Sequence, residues 1–149
     1  MDEITLRDYQ SKGVDDVARL SSKGVRRIIF QLATGGGKTV VFSALAQRFI
    51  SRIDKKVFIC VHRHELLEQT VNALKKVAGI NAGLLIAEYK TICQKVGDLY
   101  IPFNNAQVVV CMIETLNNRI KKYSSLTDGV GMLIVDEVHL GNFVKIYSY

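Results

Sequence analysis

Two kinds of hydrophobic pattern alternate along this 149-residue chain. Short runs of apolar, β-forming residues are separated by longer segments in which apolar positions recur every three or four residues. The runs predict strands at residues 27–32, 56–61, 82–86, 107–111 and 131–135, and the longer segments predict helices at 6–20, 38–51, 64–78 and 113–122, with a helical tail. Alternation at this spacing predicts an α/β fold with a mainly parallel sheet and helices on both faces.

The chain between the short third predicted strand, residues 82–86, and Phe103 lacks a clear period, so we expect looser structure there. Within it, residues 98–105 contain the only proline, Pro102, and are predicted to form a surface loop. The 149 residues suffice for one domain with its own core, and 48% of them are hydrophobic. We therefore expect residues 1–149 to form a single ordered domain.

A glycine run joins the first predicted strand to the helix that follows it: Thr34, Gly35, Gly36, Gly37, Lys38 and Thr39. Glycines allow a tight turn in which several backbone N–H groups approach phosphate oxygens, and the helix start adds partial positive charge. Lys38 is placed to reach the β- and γ-phosphates of a nucleotide, and the Thr39 hydroxyl to ligate Mg²⁺. Leu32 stands where the usual pattern has its first glycine. The alternative is a glycine-rich turn without a ligand.

Two acidic residues follow the last predicted strand. Asp136 and Glu137 come directly after the apolar run that ends at Val135. The carboxyl end of a strand in an open parallel sheet is where ligands bind. Asp136 is the candidate for holding Mg²⁺, and Glu137 the candidate general base that activates the attacking water. Taken alone, the pair is more typical of a solvated loop, and it is the glycine run that favours the catalytic interpretation.

With His139, the acidic pair resembles the Asp-Glu-x-His box of superfamily 2 helicases and translocases. The resemblance extends over residues 6–143 and implies a three-layer, RecA-like P-loop NTPase domain that binds ATP and Mg²⁺. In that family the histidine helps to couple the nucleotide site to the nucleic-acid site, a role the resemblance implies for His139. The amino-acid sequences of the glycine run and of the residues after His139 are most similar to those of the restriction-subunit and DNA-repair branch of the family.

The segment from Leu6 to Gln10 resembles an element of the family in which a glutamine amide reads the adenine edge. Only an amide offers a donor and an acceptor side by side. The resemblance thus assigns adenine recognition to Gln10, with Arg7, one helix turn earlier, stacking on the base. An amphipathic helix with no ligand explains the same segment, since its apolar positions already form a buried stripe.

Two later segments resemble family elements that hold the backbone of one nucleic-acid strand. The first, residues 57–70, makes Arg63 and His64 candidates, although an ordinary solvated helix start is the alternative for His64. The second runs from the strand ending at Cys111 into the following helix and makes Thr115 a candidate hydroxyl donor. Met112 replaces the first threonine of that family element.

Charge and cysteines are compatible with this assignment without proving it. The net charge of +6 arises in residues 1–76, which hold 14 Lys and Arg against 8 Asp and Glu, whereas residues 77–149 hold 6 of each. The three cysteines form no Cys-x-x-Cys pair, which disfavours a zinc site or a disulfide framework. No apolar run reaches membrane-spanning length and the first residues are acidic, so we expect an intracellular, cytoplasmic protein.

Superfamily 2 motors consist of two such domains with ATP between them, and the chain lacks the second. The resemblance therefore predicts the N-terminal motor domain of a larger protein, poorly active in isolation, whose partners are nucleic acid and a second RecA-like domain. DNA is favoured over RNA because of the branch that the motifs resemble. Two other functions stay open: a P-loop phosphotransferase acting on a small metabolite, and a non-hydrolysing, nucleotide-gated binding module.

Overall fold

In a computed structural model, residues 8–24, 38–122, 126 and 128–135 are described. Four helices and six strands occur within these ranges. They are α1 (Asp8–Ser22), α2 (Lys38–Arg52), β1 (Lys56–Val61), α3 (His64–Ala78), β2 (Gly83–Leu85), β3 (Cys93–Val96), β4 (Leu99–Pro102), β5 (Val108–Met112), α4 (Ile113–Lys122) and β6 (Val130–Val135). The elements predicted at 38–51, 56–61, 64–78, 107–111, 113–122 and 131–135 are confirmed within one residue at each end. The predicted strand 27–32 and the helical tail lie outside the described residues.

The strands form one sheet in the order β4-β3-β2-β5-β1-β6. The four strands β2, β5, β1 and β6 run parallel, whereas β3 and β4 form an antiparallel extension at one side. The parallel part requires a crossover connection between strands, and α3 and α4 supply the connections that follow β1 and β5. The prediction of a mainly parallel sheet is confirmed.

The central strands are buried on both faces, which explains their continuous apolar sequence. In β1, Val57, Ile59 and Val61 pack with α1, α2 and α3 in one core cluster. The alternate residues Phe58 and Cys60 belong to a second cluster, on the α4 side of the sheet. Side chains of a strand alternate between faces, so the period of two along β1 separates the two layers of helices. Helices therefore cover both faces, as predicted.

The predicted surface loop at residues 98–105 is wrong in its first half. Leu99–Pro102 is β4, paired with Cys93–Val96 in a hairpin whose turn contains Gly97 at φ +62°. That positive φ suits a glycine, and the Gly97-Asp98 pair between apolar residues is a recognised hairpin signal. Pro102 is tolerated because β4 is at the edge of the sheet, where a missing N–H breaks no ladder. Leu99 projects from this edge and is 71% exposed.

None of the helices in the described part of the chain is long and apolar enough to cross a membrane.

Replacing a buried and an exposed leucine by alanine will test the described packing of the core. Leu74 in α3 is fully buried, whereas Leu99 is mostly exposed. We expect Leu74→Ala to lower the free energy of unfolding by about 2–5 kcal/mol, because it leaves a cavity in the larger core cluster. Leu99→Ala should change it by about 0.5 kcal/mol or less. Urea denaturation of both variants measures the difference, and equal losses would contradict the described packing.

Candidate nucleotide and nucleic-acid site

The carboxyl ends of four parallel strands meet at one edge of the sheet. Val61 at the end of β1 lies opposite Met112 of β5, and Cys60 lies opposite Val135, the last residue of β6. Leu85 ends β2 opposite Cys111. We refer to this as the carboxyl edge. Ligands of open parallel sheets bind at this edge, so it is the candidate site.

Three helices begin at the carboxyl edge. α3 follows β1 after two residues, and α4 follows β5 directly. Only Ile53–Lys55 separate the end of α2 from the start of β1, and α2 packs on β1. A 15-residue helix is about 22 Å long, close to the length of the strand, so α2 must begin at the opposite end of β1, at the carboxyl edge. The positive ends of three helix dipoles thus point toward one edge.

The first turn of α2 agrees with the predicted phosphate site as far as its residues are described. Lys38 is its first residue, Thr39 is half-buried, and the Thr39 carbonyl accepts a hydrogen bond of 2.8 Å from the Ser43 hydroxyl. The first turn of α2 contains no acidic residue, so nothing in it neutralises the helix dipole. The Lys38 side chain and the residues Thr34, Gly35, Gly36 and Gly37 lie outside the described part.

α1 is attached to α2 by packing and by charge. Val14 of α1 is buried in the same cluster as Val41 and Leu45 of α2, and Arg48 donates to Asp15 at 2.6 Å. Gln10, which is predicted to read the adenine, lies in the first turn of α1, but its side chain is not among the described parts of the chain. Arg7 lies wholly outside the described residues. Their roles stay predictions.

β6 leads directly to the predicted acidic pair. It ends at Val135 beside the central strand β1, so the chain reaches the carboxyl edge at the residue before Asp136. The predicted strand before the acidic residues is therefore confirmed. Asp136, Glu137 and His139 themselves lie outside the described residues, and their roles in metal binding, catalysis and coupling stay predictions.

The turn between β1 and α3 places two basic residues at the carboxyl edge. Arg63 occupies the N-cap position in an extended conformation, makes no side-chain capping hydrogen bond, and is exposed. His64 is the first residue of the helix, and its Nε2 lies 3.6 Å from Oε1 of Glu88, with both side chains about half exposed. The first-turn N–H groups of α3 are thus left without a cap from Arg63, although Glu65 supplies a negative charge nearby.

The third candidate for nucleic-acid contact is less accessible than the sequence suggests. Thr115 lies in the first turn of α4 and is only 8% exposed. Its neighbours Ile113 and Leu116 face the core cluster on this side of the sheet. Thr115 therefore lies on the face of α4 that packs on the sheet, which the motif alone does not specify. A nucleic-acid contact through its hydroxyl stays a prediction.

Arg119 is a feature of the carboxyl edge that the sequence did not reveal. From the last turn of α4 its guanidinium donates to the carbonyl oxygens of Ile86, Tyr89 and Lys90. These three belong to the turn that follows β2. A basic residue in a last helical turn is expected from the helix dipole alone, so no sequence signal marks this contact.

The cysteines serve packing and not catalysis. Cys60 and Cys111 lie side by side on β1 and β5, fully buried. Burial, and then the neighbouring Cys60 thiol, raise the pKa of Cys111 well above its ordinary value. Burial also raises the pKa of Cys93, an effect that the nearby Arg119 opposes. Buried thiols with raised pKa values are poor nucleophiles, which suits Cys93 and Cys111 to packing.

Comparison with known proteins identifies the family. A family model described as "Type III restriction enzyme, res subunit" matches residues 3–148. The protein named "Putative ATP-dependent helicase IRC3" from Saccharomyces cerevisiae is 34% identical over 140 residues, which cover 90% of this chain and 19% of IRC3. The type I restriction enzyme EcoKI endonuclease subunit of Escherichia coli is 29% identical over 146 residues, covering 95% of this chain and 12% of that subunit. The chain thus spans less than a fifth of the length of either relative.

Solved structures show the same fold. The UvsW helicase of bacteriophage T4 superposes with a TM-score of 0.67 at 23% identity, covering 97% of this chain and 47% of that solved chain. A nuclease-deletion mutant of the type ISP restriction-modification enzyme LlaGI, in complex with a DNA substrate mimic, gives a TM-score of 0.73 at 19% identity, covering 96% of this chain and 16% of LlaGI. At these identities the likeness concerns the fold alone, and it confirms the predicted RecA-like α/β class. Because the family model covers nearly the whole sequence, this chain belongs to the family of the res subunit of type III restriction enzymes, as a first motor domain of the superfamily 2 helicase type.

Proposed function

We propose that this chain binds Mg-ATP and the backbone of a nucleic-acid strand, as the first motor domain of an ATP-dependent helicase or translocase. One observation supports the proposal most: the strand that leads to Asp136 and the helix that follows the glycine run both reach the carboxyl edge, on which the start of α3 also lies. A nucleotide and a nucleic-acid strand bound at this edge would be separated by little more than the width of β1.

The nucleotide site is built from residues of three segments in this proposal. The N–H groups of Gly35, Gly36 and Gly37, with Thr34 before them, surround the phosphates, and Lys38 neutralises their charge. Glu137 takes the proton of the attacking water. Gln10 and Arg7 bind the adenine.

The donor set that we assign to the metal suits Mg²⁺. The Thr39 hydroxyl and the Asp136 carboxylate are hard oxygen ligands, and Mg²⁺ is typically held by one or two such groups together with phosphate oxygens and water. When bound, the ion would supply positive charge that offsets the negative charge developing on the phosphates during hydrolysis. The half-buried position of Thr39 in the first turn of α2 is compatible with this role.

We place the nucleic-acid strand across the starts of α3 and α4. Arg63 is exposed and commits no hydrogen bond to capping its own helix, so its guanidinium and the first-turn N–H groups are available to phosphate oxygens. His64 is a second donor. Thr115 contributes through its hydroxyl only if the first turn of α4 rotates outward from its buried position.

The larger protein supplies what one motor domain cannot. We propose that a second RecA-like domain of the same polypeptide closes over the nucleotide and that His139 couples this closure to the bound strand. DNA is favoured over RNA, since the family is that of a restriction subunit and LlaGI was solved with a DNA substrate mimic. The match over residues 3–148 gives no support to the alternatives of a metabolite phosphotransferase or a non-hydrolysing binding module.

Replacement of the general base should separate ATP binding from ATP hydrolysis. In the full-length native gene product, we expect Glu137→Gln to lower the rate of ATP hydrolysis by about 10²–10⁴-fold, because the attacking water loses its proton acceptor. Binding of a fluorescent ATP analogue should persist in Glu137→Gln and be lost in Lys38→Ala.

The control for this experiment is Glu68→Gln, which removes an exposed carboxylate of α3 and should leave the rate unchanged. Rates are measured without nucleic acid and with single-stranded DNA, duplex DNA or RNA. Stimulation by DNA that disappears in Glu137→Gln supports the motor function. A rate indifferent to all three polymers would contradict it.

The salt dependence of binding should identify the phosphate contact at the start of α3. We expect Arg63→Ala to weaken binding of single-stranded DNA and to reduce the slope of log affinity against log salt by about 1, as loss of one phosphate contact does. The matched control is Arg52→Ala, which removes an exposed arginine from the last turn of α2, at the other end of the helix layer. Fluorescence anisotropy titrations at several salt concentrations measure both, and an equal change in the two variants would contradict a specific contact.

A further inference from the structure

The turn that follows β2, residues 86–90, receives three hydrogen bonds from one side chain. Arg119 donates from Nη2 to the carbonyl oxygens of Ile86 at 2.7 Å and Tyr89 at 2.6 Å, and from Nη1 to that of Lys90 at 3.1 Å. Helical side chains point back toward the start of their helix, so a long residue in the last turn of α4 can reach the carboxyl edge. A planar guanidinium, with several donors in fixed directions, suits three acceptors on one turn.

Ile86 and Tyr89 pack on the larger core cluster, but the hydrogen bond within the turn itself is weak. The hydrogen bond from the N–H of Tyr89 to the carbonyl of Ile86 is long, at 3.5 Å. The Tyr89 ring also contacts Tyr100 of β4, which lies outside the turn, with ring centroids 6.4 Å apart. The guanidinium thus supplies the short hydrogen bonds that fix the turn relative to α4.

The same turn reaches the start of α3. Its residue Glu88 places Oε1 at 3.6 Å from Nε2 of His64, the first residue of α3. Arg119 on α4, the turn at residues 86–90 and His64 on α3 therefore form a continuous series of contacts. This series joins the last turn of α4 to the start of α3, where we place the nucleic-acid strand.

We propose that Arg119 is a positioning residue for nucleic-acid binding: it fixes residues 86–90 so that Glu88 orients His64 toward the phosphates of the bound strand. This inference rests on the proposed function of the start of α3. Arg119 itself does not touch the strand. Its removal weakens nucleic-acid binding by releasing the turn, and it does not alter the nucleotide site, which lies beyond β5 and β1 on the other side of the edge.

The test uses ATP hydrolysis by the full-length native gene product, titrated with oligo-dT. In Arg119→Ala we expect the oligo-dT concentration at half-maximal stimulation to rise about 10-fold, with the maximal rate at saturating oligo-dT within about twofold of the unchanged protein. Arg119→Lys keeps the charge but replaces the planar fork by a single ammonium, so it should restore part of the affinity. Lys122→Ala removes an exposed charge from the same helix turn and is the control for charge alone.

A double-mutant cycle distinguishes positioning through His64 from a separate effect. If Arg119 acts through His64, the loss caused by Arg119→Ala is much smaller in a His64→Ala background, so the two losses do not add. Hydrogen exchange at residues 86–90 should become faster in Arg119→Ala, since the turn loses its short hydrogen bonds.

The outcomes that overturn the inference are distinct from failure of the proposed function. An unchanged half-saturating concentration in Arg119→Ala, an equal rise in Lys122→Ala, or losses that add with those of His64→Ala would each overturn it. If Arg119→Ala is too unstable to purify, Arg119→Lys decides: a raised half-saturating concentration supports positioning, and an unchanged one overturns it. A native protein whose ATP hydrolysis ignores oligo-dT, duplex DNA and RNA would instead contradict the proposed function itself.

Discussion

The burial of β1 and β5 on both faces is the constraint on which the rest of this structure depends. The side chains of residues 57–61 and 108–111 are almost completely excluded from solvent. Parallel strands buried in this way must be connected by crossovers that run back over the sheet, and helices satisfy the backbone of such crossovers. Each crossover helix then begins where its strand ends. The positive ends of α2, α3 and α4 are brought to one edge by the same packing that forms the core, before any ligand is considered.

The order of the strands divides this edge into two parts. β6, which leads to the predicted acidic pair, lies on one side of β1, whereas β5, β2 and the turn at residues 86–90 lie on the other. α3, which begins two residues after the end of β1, packs along α2. Gln47 of α2 also donates to the carbonyl of Ala78 at the end of α3, at 3.4 Å. α2 and α3 are therefore packed side by side, with an added polar contact where α3 ends.

The sequence predicted best what depends on local periodicity. α2, α3 and α4 were predictable because their apolar positions recur at helical spacing, and β1 and β5 because doubly buried strands are continuously apolar. The β3–β4 hairpin was missed because Asp98 and Pro102 suggested a loop, although Gly97-Asp98 is a hairpin signal and an edge strand accepts proline. The inward direction of Thr115 and the contacts of Arg119 were not predictable. The direction of Thr115 depends on which face of α4 meets the sheet. Arg119 bonds to backbone carbonyl groups about 30 residues away, and because every residue type has such a carbonyl, the sequence does not mark these acceptors.

The location of the basic residues shows why net charge is a poor guide to the binding face. The excess of +6 lies in residues 1–76, yet several of its cations are in the last turns of helices: Arg52 in α2 and Lys75 and Lys76 in α3. Both helices end where the chain turns back into a strand, away from the carboxyl edge, and cations there stabilise the helix dipole. At the carboxyl edge the described cations are few, and one of them, Arg119, is committed to carbonyl oxygens. Attraction for phosphate at this edge must therefore come mainly from helix N-termini and a small number of placed side chains, so binding should depend more on their geometry than on the total charge.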